Sequence, residues 1–190
     1  MKRIKERAVR LRRFSRGRGF GVQSPNDYNF ITKVVKGHIG SDCCAGIDKE
    51  CTDIRGDKFR FAHLCYRVAR YLKPSKCLCL TSPDDCLERF VEAAVPGVEV
   101  SETHEASDKG KYLVILSPAD NCLRNIDAIL ETATDNMWLI IDGINSSDEM
   151  KECWKRLVAD SRTRITFDMY HYGTICFDRK RYKQNYKIYL

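Results

Sequence analysis

Cysteine and histidine are the residue types here with the widest chemistry, so their spacing comes first. The ten cysteines, at 43, 44, 51, 65, 77, 79, 86, 122, 153 and 176, contain no C-x2-C pair and hence no recognised zinc pattern. The nearest grouping is His38, Cys43, Cys44 and Cys51, in a glycine-containing loop. Neighbouring cysteines seldom reach one tetrahedral ion comfortably, so the expectation is small buried apolar thiols and no metal. Cys77 and Cys79 sit at strand period and read as core. The four histidines (38, 63, 104, 171) are scattered. His63, ahead of the first strand, and His171, at a hairpin turn, are general bases in principle, but ordinary surface or half-buried histidines are the simpler reading. No G-x-S-x-G, H-E-x-x-H or G-x-x-x-x-G-K occurs, so serine hydrolase, zincin and P-loop chemistries lack their motifs.

One pattern repeats three times: Ser24-Pro25-x-Asp27, Ser82-Pro83-x-Asp85 and Ser117-Pro118-x-Asp120. Each reads as a helix start. The serine caps, the proline takes the first helical position where its missing N–H costs nothing, and the aspartate meets the helix dipole from within. The pair Asp84-Asp85 is explained in the same way, as first-turn electrostatics.

The elements that must position these groups follow from hydrophobic period. Ser24 opens a helix through about Ile39, a polar loop runs from Gly40 to about Thr52, and a second helix carries Phe61, Leu64, Cys65, Val68 and Leu72 before Lys73-Pro74 stops it. Short apolar runs then alternate with amphipathic segments. Strands are expected at 76–81, 98–103, 111–117, 136–142, 163–169, 172–177 and 186–190, and helices at 84–94, 121–134 and 147–159. The last helix begins with Ser146-Ser147-Asp148-Glu149, read as a capping box, and buries Met150, Cys153, Trp154 and Leu157. Strands separated by helices predict an α/β fold with a mostly parallel, Rossmann-like sheet. The strands at 163–169 and 172–177 are joined only by Tyr170-His171 and should form an antiparallel hairpin at one edge.

The link between the second and third strands, residues 104–110, is short for a parallel crossover. Returning along a strand and stepping sideways needs ~18 to ~20 Å, within the ~23 Å reach of seven extended residues. A parallel but taut link is expected; the alternative is an antiparallel hairpin that would carry Glu102 away from the strand ends where ligands bind.

Three stretches together resemble a known family. The run 58–74 followed by Cys77-Leu78-Cys79-Leu80 resembles the approach to the first strand of bacterial class I S-adenosylmethionine-dependent methyltransferase-like proteins. Arg18-Gly19-Phe20-Gly21-Val22-Gln23-Ser24-Pro25 is similar to the G-V-H-S-P segment of one O-methyltransferase-like group. Ile141-Asp142-Gly143-Ile144-Asn145-Ser146-Ser147-Asp148-Glu149-Met150, Trp154, and Phe167-Asp168-Met169-Tyr170 with Gly173 resemble that group's D-D-I-H-W-S-x-E-M, W and D-L-x-x-x-G run. The resemblance implies a mostly parallel seven-stranded sheet with an antiparallel last strand. It also implies a shortened copy, because a helix, the third strand and another helix have no counterpart between Glu102 and Lys111.

The departures fall on the cofactor positions. The family's glycine-rich loop after the first strand reads Thr81-Ser82-Pro83-Asp84-Asp85 here, and the Asp common after the next central strand becomes Ser117-Pro118-Ala119-Asp120. Gly143 and Asn145 stand where the group has Asp and His. The resemblance therefore implies a degenerate relative with impaired cofactor binding and a binding or interaction role. The alternative is an active small-molecule O-methyltransferase with an atypical loop. In that case Glu102 would hold the ribose hydroxyls, Ser82 and Ser117 would make polar contacts to S-adenosylmethionine, and Asp142 would face the reaction. The cofactor is S-adenosylmethionine or none, and the acceptor is unspecified.

Charge supplies a third reading. The chain has 190 residues and net charge +7, yet residues 1–18 hold nine Lys/Arg against the single Glu6 and so carry +8, leaving the rest at −1. The chain thus divides into a basic arm, 1–18, and a single α/β domain, 19–190, and contact with nucleic acid or an anionic surface belongs to residues 2–18. Ile4, Ala8 and Leu11 at helical spacing suggest that residues 2–14 form a helix docking by a narrow apolar stripe. The longest apolar runs are five residues, far short of the ~20 that span a membrane, and no apolar region follows the basic start as in a secretory signal. A cytoplasmic protein with reduced thiols is expected.

Overall fold

The computed structural model describes residues 2–13, 19, 21–37, 47, 51, 56–80, 86–101, 110–117 and 122–190. Seven strands form one sheet: β1 (Lys76–Leu80), β2 (Glu99–Ser101), β3 (Tyr112–Leu116), β4 (Met137–Asp142), β5 (Ile165–Asp168), β6 (Tyr172–Cys176) and β7 (Gln184–Lys187). Their order is β2-β1-β3-β4-β6-β5-β7. All pairings are parallel except those of β6, which runs against both β4 and β5. The hairpin β5–β6 is present, but it is not outermost: β7 pairs in parallel with β5 and forms the edge. The segment expected at 186–190 pairs earlier, at 184–187. There Gln184 N–H donates to Arg164 O at 2.8 Å, and the Thr166 hydroxyl donates to Asn185 Oδ1 at 2.8 Å. An edge strand needs one apolar face only, so polar Gln184 and Asn185 are accommodated where apolar patterning pointed further on.

β2 is parallel to β1, with Lys76, Cys77 and Leu78 opposite Glu99, Val100 and Ser101. β3 lies parallel on the other side of β1, so β2 and β3 run in the same direction, as the parallel expectation requires and the hairpin does not. β1, β3 and β4 are near-continuous apolar runs because both of their faces are covered.

One face is covered by α2 (Pro25–Asn29, continuing as a π-helical segment Phe30–Val35), α3 (Asp57–Leu72) and α4 (Leu87–Ala94). Phe30, Phe61, Leu64 and Phe90 pack there over Cys77, Cys79, Ile115, Ile140 and Phe167, so the two strand cysteines are core, as their period predicts. The opposite face is covered by α5 (Cys122–Glu131) and α6 (Asp148–Ala159), through Ile126, Leu130, Met150, Trp154 and Leu157. Trp154 explains Gly173: a Cβ on Gly173 would stand 2.5 Å from the Trp154 ring.

Several helix boundaries differ from expectation. The helix opened by Ser24 ends at Val35, not near Ile39, in a π turn where Lys36 N–H donates to Ile31 O at 3.0 Å. Ser24 does cap it, accepting from Asp27 N–H at 3.4 Å with Pro25 at the first helical position. Asp27, however, does not simply face the dipole: its buried carboxylate accepts from the Arg181 guanidinium and from Tyr186 Oη at 3.0 Å. α4 starts at Leu87 rather than 84, because Cys86 is left-handed (φ 50°) and a right-handed helix cannot run back through it. The Ser82 and Ser117 starts lie outside the described residues apart from Ser117 itself. In α6 the cap is Ser147, accepting from Met150 N–H at 3.1 Å, so Glu149 is one position too early for a capping box. The Ser147 hydroxyl instead holds Glu149 below the usual carboxylate range.

Candidate ligand site at the carboxyl edge of the sheet

Chain order reverses between β1 and β3, since β2 follows β1 on one side and β3 returns on the other. In open parallel sheets ligands sit beyond the carboxyl ends at such a reversal. Leu80 ends β1, and Ser117, half-buried just after β3, donates its N–H to Leu80 O at 3.2 Å. Asp142 ends β4, half-buried, opposite Tyr172 of β6. Because Leu116 is registered with Ile141, Ser117 and Asp142 follow at adjacent places on this edge. The fold therefore brings these two together. Ser82 and Glu102 lie outside the described residues, as does the rest of 81–85; β2 ends at Ser101, opposite Leu78.

Asp142 acts electrostatically on two buried neighbours, Tyr172 and Cys65. Burial, and then the charges of Asp142 and Asp57, push the Tyr172 phenol above its ordinary value, and its hydroxyl donates to Asp57 O at 3.0 Å. Burial likewise pushes the Cys65 thiol well up, with Cys79 and Asp142 adding to it. The hydrogen bond to Cys79, at 3.8 Å between sulfurs, and burial do the same for Cys77. A thiol acts as nucleophile or ligand as thiolate, and these surroundings disfavour that form at Cys65 and Cys77. Asp142 and Ser117 thus bring an acidic and a hydroxyl side chain to neighbouring places on one edge.

Beside this edge lies a polar network that composition and spacing do not disclose. Helix α1 (Lys2–Arg13) places Arg13 against the end of β5: Nη1 and Nη2 donate to Asp168 Oδ1 and Oδ2 at 2.6 and 3.2 Å, and Nη1 also to the carbonyls of Asp168 and Ile188 at 3.2 and 3.1 Å. Glu6 Oε1 lies 3.0 Å from His171 Nε2 and accepts from Tyr189 Oη at 3.0 Å. The turn between β5 and β6, with Tyr170 left-handed at φ 75°, joins this network to the loop after Asp142. Ile144 N–H donates to His171 O at 3.1 Å, and Asn145 Nδ2 to Tyr170 O at 2.7 Å. His171 is thus a half-buried partner of the arm.

Docking of α1 contradicts the expected apolar stripe. Ala8 is exposed and Leu11 is 79% exposed, while Glu6 and Arg13 make the contacts. Charged residues win because Asp168, almost buried at the end of β5, needs a cation more than a leucine needs cover. The resemblance touches Asp168, Tyr170 and Asn145, but nothing in the sequence links them to the arm; Arg13 and Asp168 are 155 residues apart.

Of the proposed metal grouping only Cys51 is described; it is buried, and its thiol is pushed up to about 11 by burial and by Cys86. Among the described residues no group of three or more His, Cys, Asp or Glu could hold a metal ion, and no helix is long and apolar enough to cross a membrane. Comparisons with protein-family models, curated proteins and solved structures returned no match.

Proposed function

We propose that this chain is a methyltransferase-like scaffold whose S-adenosylmethionine site is impaired and whose role is binding rather than group transfer. The observation that carries the reading is the strand order: parallel strands reversing direction of travel between β1 and β3, with the sole antiparallel strand, β6, inserted beside β4. That order is compatible with a methyltransferase-type sheet shortened between β2 and β3 and extended by β7. Trp154 against Gly173 supports it further, since both belong to the run that resembles the family.

Impairment is argued from the loop after β1. Thr81-Ser82-Pro83-Asp84-Asp85 holds no glycine, and Pro83 contributes no N–H. Losing two backbone hydrogen bonds there, at ~1 kcal/mol each, would weaken binding ~30-fold before any steric cost. Calorimetric titration of the full chain with S-adenosylmethionine tests this, with the expected result that nothing binds tighter than about millimolar. Micromolar affinity that disappears in Glu102→Ala would replace the proposal with the active O-methyltransferase, with Ser82, Ser117 and Asp142 in the roles the resemblance implies.

A further inference from the structure

The way α1 is attached leaves its opposite side with an unusual composition. Glu6 and Arg13 face the body and Val9 is half-buried, whereas Arg7, Ala8 and Leu11 are exposed. At about 100° per residue, positions 4, 8 and 11 fall on one narrow arc, opposite the arc of 6, 9 and 13. Positions 4, 8 and 11 are Ile, Ala and Leu, and the positions flanking that arc, 7 and 12, are both Arg. Leu11 is the one exposed large aliphatic side chain among the described residues. The arm's only acid, Glu6, is turned inward to His171 and Tyr189.

We propose that this outward face of α1 docks the protein on an anionic bilayer surface. A short apolar arc bordered by arginines fits the boundary between headgroups and acyl chains: the arc enters the apolar layer and the guanidinium groups stay with the lipid phosphates. Charge complementarity alone would serve a nucleic acid equally. The exposed leucine decides between them, because a phosphodiester backbone offers it no apolar layer, and no aromatic residue lies on α1 for a base to stack on. The helix has 12 residues, about 18 Å, so it lies on the membrane and does not cross it.

Co-sedimentation of the full chain with vesicles of phosphatidylcholine containing about a third phosphatidylserine tests the proposal. Binding is expected to anionic vesicles, to be absent for pure phosphatidylcholine, and to fall about tenfold in Leu11→Gln. Leu11 is exposed, so that variant keeps its fold, which circular dichroism checks. No binding to anionic vesicles, equal binding to both vesicle types, or full binding by Leu11→Gln would overturn the proposal. So would displacement from vesicles by single-stranded RNA that binds wild type and Leu11→Gln alike, since that result assigns the face to nucleic acid.

Discussion

Two helices that precede α3, α1 and α2, are held to the same sheet in opposite ways. α2 and its π-helical continuation bury Phe30, Ile31, Val34 and Val35, with the Phe30 ring 4.5 Å from Phe167 and 5.2 Å from Trp138 between centroids. A single buried carboxylate, Asp27, then fixes the register of that apolar contact by taking Arg181 and Tyr186. Among its described side chains α1 reverses the proportions: Glu6 and Arg13 make polar and ionic contacts with the body, and Leu11 points to solvent. An attachment dominated by apolar area is not weakened by charge screening and opens only with the core, whereas one made of a few charged contacts is weakened by salt and can open locally. α2 is therefore part of the core, and α1 is a separable element carried at the carboxyl edge.

The largest expected effect breaks the α2 side. Asp27→Ala leaves Arg181, only a fifth exposed, without its carboxylate and removes the acceptor of the Tyr186 hydroxyl. Orphaning a largely buried charge should cost about 3 kcal/mol of global stability. Urea unfolding should show this as a lower midpoint with an unchanged slope. A loss below about 1 kcal/mol would mean that the apolar contacts alone place α2.

On the α1 side the corresponding change is smaller and local. Arg13→Ala removes a two-pronged ion pair and two carbonyl contacts, which should weaken helix docking by about 2 kcal/mol. Asp168 keeps the Tyr170 N–H at 2.9 Å, so the sheet should survive. Hydrogen exchange should accelerate across 2–13 in this variant and in wild type at high salt, with protection of β1, β3 and β4 unchanged. Loss of protection throughout would show that α1 is integral to the fold.

This contrast also marks what the sequence discloses. Strand positions, the parallel β1–β4 half and the adjacency of β5 and β6 follow from apolar runs and link lengths, which are local quantities. Ser24 as a cap and Lys73-Pro74 as a stop are legible for the same reason; Lys73 indeed takes a left-handed terminal conformation. Asp27 was readable as a first-turn acid but not as the partner of Arg181, because a short polar side chain in a helix start looks the same whether it meets solvent or a distant guanidinium. The order β4-β6-β5-β7 depends on where a polar edge strand inserts, and period alone does not encode that. At the candidate site, Asp142 and Ser117 come from the family resemblance, and apolar runs place them at strand ends, whereas the Arg13–Asp168 pair spans 155 residues and has no local signature.

The smallest expected effect is a proton linkage that only the α2 attachment should show. Burial first, and then Asp27, push the Tyr186 phenol from 10.0 to about 12. A group whose folded value is raised contributes stability that is complete below its unfolded value and lost as pH rises through the folded one. Stability should therefore decline between about pH 10 and 12 as the unfolded chain releases a proton that the folded protein still holds to Asp27. Tyr186→Phe removes one titrating group, and its stability curve should be flatter over that interval; Tyr172, Tyr71 and the buried thiols, also pushed up, supply the remaining slope. Arg13→Ala should leave the curve's shape as in wild type, because Arg13 acts on Asp168 and not on the Tyr186–Asp27 pair. Urea midpoints measured at steps across the interval decide the matter: identical slopes for wild type and Tyr186→Phe would show that the phenol is not held by Asp27, and would remove the polar latch that distinguishes α2 from α1.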